Sequence, residues 1–152
     1  MKRINQLIKI VKDLTDYELK FTFDDDTHID HDDEIIYVNC HNDVNMVFNH
    51  IANCHHRYEF TEYEPIVMVV LHEVGHYMIF DDLTDTDFEE YALINLGLDL
   101  IFDDNNKYGF NAEELNRPYF DTTIEWNATE WALDYIKDHK KELKDWKISL
   151  DR

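Results

Sequence analysis

The chain has 152 residues, 34 acidic against 14 basic side chains, and a formal charge of −20, a length that suits one domain with a buried core. Aromatics at 14% and hydrophobics at 44% exclude a disordered chain, and three glycines with no G-x-x-x-x-G-K-[ST] or G-x-G-x-x-G exclude a Gly-rich phosphate cradle. Two cysteines are too few for a disulfide scaffold, and no signal-peptide h-region or apolar run of transmembrane length is expected, so the composition predicts a soluble, cytoplasmic protein without a membrane partner.

Ile4, Leu7, Ile8 and Val11 recur at helical spacing and predict a first amphipathic helix. Leu19, Phe21 and Phe23 alternate with polar residues and predict a half-buried strand. Residues 24–34, DDDTHIDHDDE, read as a loop or hairpin turn, and 34–39, EIIYVN, as a second strand. Asp43 caps a predicted helix through Val44, Val47, Phe48 and Ile51 to about Cys54. The most apolar helix spans Thr61 to Phe80, with a capping-box sequence at 61–64 and Pro65 in its first turn. A helix follows from about Phe88 to Ile101, then an irregular connection over 103–117, then a long final helix from Thr122 to about Trp146. Strands near the start with helices after them predict a single α+β domain.

Within the apolar helix, His72-Glu73-Val74-Gly75-His76 is an H-E-x-x-H sequence. One turn takes about 3.6 residues, so the two imidazoles stack on one face and can reach one Zn²⁺ at roughly 2.0–2.1 Å. Glu73 lies about 100° round the helix, where it can hold a water beside the metal. Gly75 leaves room for another backbone to approach. Two histidines and a glutamate in so apolar a segment are costly unless a cation satisfies them. The final helix offers two third ligands. Glu125 sits at the margin of the apolar face with Thr129, Ala132 and Ile136, whereas Glu130 shares a polar stripe with Asn127, Asp134 and Asp138. A carboxylate among small and apolar neighbours needs a cation, which favours Glu125 and keeps Glu130 as the alternative. For an oxyanion partner, Tyr77, Tyr119 and His139 are the available side chains.

His72–His76 followed by Glu125-Trp126-Asn127-Ala128-Thr129-Glu130-Trp131-Ala132 resembles the zincin metallopeptidases of the ImmA/IrrE type, in which H-E-x-x-H precedes a helix bearing E-x-x-A-[ND]-x-[FW]-A. The resemblance implies a small zincin-like domain: N-terminal strands, a buried H-E-x-x-H helix and a C-terminal helix supplying the third ligand. It also implies zinc ligation by His72, His76 and Glu125, with Glu73 as catalytic base, and a setting on phages or mobile elements, where such proteins act on transcriptional repressors. Thr129 stands where the family has Asn or Asp, and residues 81–121 read as an acidic insertion between the two motifs.

Charge shapes the choice of partner. Residues 1–12 carry +4, residues 13–136 carry −26 and the Lys-rich end, 137–152, carries +2. The acidic body repels a phosphate backbone, so direct nucleic-acid binding is not expected, and it attracts basic proteins. Two functions follow. One is a zinc-dependent peptidase that cleaves a specific, basic protein such as a repressor or defence factor. The other is an acidic nucleic-acid mimic that inhibits a basic nucleic-acid-binding protein on a zincin-like scaffold without catalysis. Two lesser constellations are set aside. Cys40-His41 with Cys54-His55-His56 lacks the usual Cys pairing of a structural zinc site, and the run 24–34 has no glycine at the turn and is followed by Ile35 where a calcium loop's bidentate glutamate should fall.

Overall fold

The computed structural model describes residues 2–40, 48, 55 and 65–143. Among them the chain is α+β, with three strands and six α-helices. Helix α1 (Lys2–Thr15) turns Leu7 and Val11 fully inward. Strands β1 (Glu18–Thr22), β2 (His28–Asp30) and β3 (Ile35–Asn39) form one sheet in the order β1-β3-β2. β3 runs parallel to β1, with Leu19 opposite Ile36, and antiparallel to β2, with Ile29 opposite Ile36. As the central strand it is covered on both faces, which is why IIYVN reads as a nearly continuous apolar run.

Helix α2 (Pro65–Ile79) is the centre of the molecule. It packs on α1 and β3 and, most extensively, along α5. A 3-10 turn, Phe80–Asp82, leads to α3 (Asp85–Asp103), then α4 (Ala112–Phe120), α5 (Thr123–Asp138) and a short α6 (Lys140–Leu143). The core joins Leu7 and Val11 of α1, Leu19, Ile36 and Val38 of the sheet, Ile66 to Leu71 and Val74 of α2, and Ala132, Leu133 and Ile136 of α5. Phe48 packs against it. No helix among the described residues is long and apolar enough to cross a membrane.

Several expectations need correction. Phe23 falls outside β1 and is exposed, because the strand ends at Thr22, whose hydroxyl accepts from the Asp24 and Asp25 amides and turns the chain. The acidic stretch 24–34 is more than a loop, since β2 lies inside it and a tight turn joins it to β3. In that turn Asp30 Oδ1 accepts from the amides of Asp32 and Asp33. The region 103–117 is not wholly irregular. Asn111 and Glu114 form a reciprocal cap that starts α4. The final helix breaks at His139 rather than continuing to Trp146. The helix expected over 43–54 and the cap at 61–64 lie outside the described residues, Phe48 apart.

Candidate metal centre

Two helices build the site, and one glycine lets them meet. A Cβ on Gly75 would lie 2.3 Å from the Ala128 carbonyl oxygen and 3.1 Å from its Cα. Only a glycine lets the α2 backbone come this close to α5. About one turn before Ala128 on α5 is Glu125, and on α2 His72 lies about one turn before Gly75 and His76 directly after it.

The result is a tight triangle of donor atoms. Glu125 Oε2 is 2.9 Å from His72 Nε2 and 3.2 Å from His76 Nε2, and the two Nε2 atoms are 3.2 Å apart. A tetrahedral zinc with bonds of roughly 2.0–2.1 Å has ligand-to-ligand separations of about 3.3–3.4 Å. The observed sides are at most a few tenths of an ångström shorter, so the donor set fits zinc in size and in chemistry. His72 and Glu125 are each only 2% exposed. A fully buried carboxylate facing two imidazoles requires a positive charge, supplied by a proton or by a cation.

Behind the triangle, His72 Nδ1 is 2.9 Å from Thr129 Oγ1. A metal on Nε2 would require that nitrogen's lone pair, and Nδ1 would then carry the proton and donate it to the hydroxyl. Thr129, where the resembling family carries Asn or Asp, therefore still supplies an oxygen to the buried histidine. In front, the donor atoms of His72, Glu73 and His76 also lie within 4.8 Å of one another. Glu73 faces a cleft of about 300 Å³ that His76, Glu125, His28, Tyr91 and Tyr119 also line.

The electrostatics follow from burial and proximity. Desolvation pushes the Glu73 carboxyl up, with the two histidines opposing it. Burial alone would depress His76, but the charge and hydrogen bond of Glu125, with Glu73, override it and raise His76 to about 9. Burial likewise works against ionised Glu125, yet the histidines win and hold it well below the usual carboxylate range. Burial, then the charge of Glu125, pushes the Tyr119 phenol far up, so it stays protonated, with its Oη 3.1 Å from Tyr91 Oη.

The remaining candidates lie elsewhere. Glu130 is 2.7 Å from His55 Nδ1, on another face of α5, with its side chain 29% exposed against 3% for Glu125. The His55 ring stacks on Trp126. Tyr77 packs against Tyr17 outside this cleft. His139 caps α5 fourteen residues beyond Glu125, roughly 20 Å along the helix. Of the three proposed oxyanion partners only Tyr119 lines the cleft. Cys40 is a free cysteine whose Sγ contacts the Val38 carbonyl, and its postulated companions His41, Cys54 and His56 lie outside the described residues. Sequence reasoning missed Tyr91 and His28. Tyr91 carries the same helical spacing as its apolar neighbours, and His28 is hidden in a run of aspartates; neither offers a signal of its own. Compared with family models, curated proteins and solved structures, the chain finds no match, so the site rests on its own geometry.

Proposed function

We propose that this chain is a zinc-dependent peptidase, similar in its site to the ImmA/IrrE-type zincins, that works in a cytoplasmic setting on a specific basic protein. The observation that carries this reading is the buried triangle of His72 Nε2, His76 Nε2 and Glu125 Oε2, open on one side to a cleft that Glu73 also faces. A structural histidine pair does not need a carboxylate base at the mouth of a cleft.

His72, His76 and Glu125 would hold the metal, and Glu130 is the poorer ligand because it is engaged with His55. When bound, zinc supplies Lewis acidity that polarises a carbonyl and acidifies a water. Glu73, its carboxyl raised by desolvation, accepts a proton from the attacking water as the C–O bond forms. It returns that proton to the amine as the C–N bond breaks. Thr129 fixes the His72 ring, and Tyr119, kept protonated, lines the cleft together with Glu125. Among the described residues β2 pairs only with β3, so its outer edge beside the cleft can accept an extended peptide by strand addition.

The acidic-mimic reading draws on the charge of −20, which exceeds what catalysis needs. Glu73→Gln separates the two. On the peptidase reading the variant keeps its zinc and loses about 10²–10⁴-fold in hydrolysis of Lys- and Arg-containing peptides. Retained zinc together with undiminished inhibition of the biological partner would leave the mimic standing and the peptidase refuted.

A further inference from the structure

Next to the cleft lies a second pocket of about 580 Å³, and it shares His31 and Phe80 with the cleft. Its position follows from local geometry. Tyr77 comes one residue after His76, so it points about 100° away from the triangle, toward the end of α1. There it meets Tyr17 edge-on, ring centroids 5.1 Å apart. Tyr17 Oη is 3.3 Å from His31 Nδ1, and the His31 ring centroid is 6.2 Å from that of Phe80. Four rings thus line one cavity, with Leu14 and Met78 as aliphatic wall. Among the described residues its lining holds one carboxylate, Asp81, and no lysine or arginine.

We propose that this pocket is the subsite for an arginine or lysine side chain flanking the scissile bond of the substrate, held by the faces of Tyr17, Tyr77 and Phe80 and by the carboxylate of Asp81. The inference rests on the peptidase reading and names the substrate feature that reading leaves open. Continuity with the cleft through His31 and Phe80 makes the pocket's occupant a near neighbour of the bond beside Glu73. Charge decides which occupant. A large apolar side chain would fill the volume but would bring nothing to Asp81. A cation on an aliphatic stem uses the ring faces, the aliphatic wall and the carboxylate together. Glu34 adds negative charge from the neighbouring turn, where with desolvation it pushes the Tyr17 phenol up.

Two measurements on the zinc-loaded full chain test this. In a randomised peptide library, cleavage should be enriched for Arg or Lys at one position beside the scissile bond. Asp81→Lys, at an exposed position, should abolish that enrichment without abolishing cleavage. Cleavage without a basic preference, or with one that Asp81→Lys leaves unmoved, overturns the subsite and leaves the peptidase intact. The second arm needs no turnover. N-acetyl-arginine methylamide, titrated into Glu73→Gln and followed by NMR, should shift the ring signals of Tyr17 and Tyr77. The neutral citrulline analogue should bind about tenfold more weakly. Equal binding of the two probes, or no ring shifts, refutes the pocket. Arginine-selective binding with no hydrolysis of any peptide supports the pocket and refutes the peptidase.

Discussion

Gly75→Ala tests how the site is assembled, because the perturbation is one methyl group at a point where two backbones meet. The added Cβ would sit 2.3 Å from the Ala128 oxygen and 3.0 Å from its carbonyl carbon. An ordinary C···O contact is about 3.3 Å or more, so α5 must retreat by about 1 Å. No side-chain rotation relieves a clash with main chain. Glu125 rides on the same turn as Ala128, and a retreat of that size takes Oε2 from 2.9 and 3.2 Å to about 4 Å from the imidazoles. Overpacking of this kind costs about 1–3 kcal/mol, which for a chain of this length lowers Tm by about 2–12 °C. Zinc affinity, measured by competition with a chromophoric chelator, should fall about 10–100-fold, as for a displaced metal ligand. Gly97→Ala is the control. Beyond its own stretch of helix backbone, no atom among the described residues lies within 4 Å of the place its added methyl would take on exposed α3. It should therefore leave zinc affinity unchanged and stabilise by about 0.5–1 kcal/mol. If Gly75→Ala matches the natural chain in both zinc affinity and Tm, the close approach of α2 and α5 is not what brings Glu125 to the histidines.

Thr129→Val keeps the shape of a residue that is 1% exposed but removes the hydroxyl partner of His72 Nδ1. It should fold and lose about 10–100-fold in zinc affinity by chelator competition, and an unchanged affinity would show that the hydroxyl does not orient the ring. In the metal-free protein, His76 is raised from 6.5 to about 9. Its contribution to stability is therefore complete below about 6.5 and is lost as pH rises through about 9. Glu125 is lowered, so its contribution is present above its ordinary 4.5 and is lost as pH falls below that. The Tm of chelator-treated protein should thus fall between neutral pH and pH 9–10 and recover there on adding zinc, which displaces the proton from His76; a Tm that is flat or rising over that interval contradicts the arrangement.

The parts of the site legible in the sequence are those where side-chain type and helical period act together. His72 and His76 are fixed on one face by spacing alone. Glu125 is separated from Glu130 by the company each keeps around α5, Thr129 and Ala132 for the first and Asp134 for the second. Gly75 is readable as a close approach because nothing else explains a glycine inside so apolar a helix. The hidden parts depend on backbone pairing or on distant contacts. β2 is three residues long and flanked by aspartates, so its pairing with β3 leaves no alternation to detect. α4 carries a legible cap in Asn111 and Glu114, but Pro118 inside it reads as a breaker. The end of α5 at His139 has no glycine or proline to announce it. Tyr91 reaches Tyr119 only because α3 and α4 fold over the cleft, an arrangement no local pattern encodes. Thr129 shows the opposite error: judged by type it is a departure from the resembling family, whereas in space its hydroxyl meets His72.

The proposed chemistry depends on three side chains gripping one divalent cation. Zinc stoichiometry and affinity, measured side by side for the natural chain, Glu125→Gln and Glu130→Gln, test this most directly. One zinc per chain should be bound by the natural protein and by Glu130→Gln alike, while Glu125→Gln should bind at least about 100-fold more weakly. Equal binding by Glu125→Gln, or loss confined to Glu130→Gln, would contradict it.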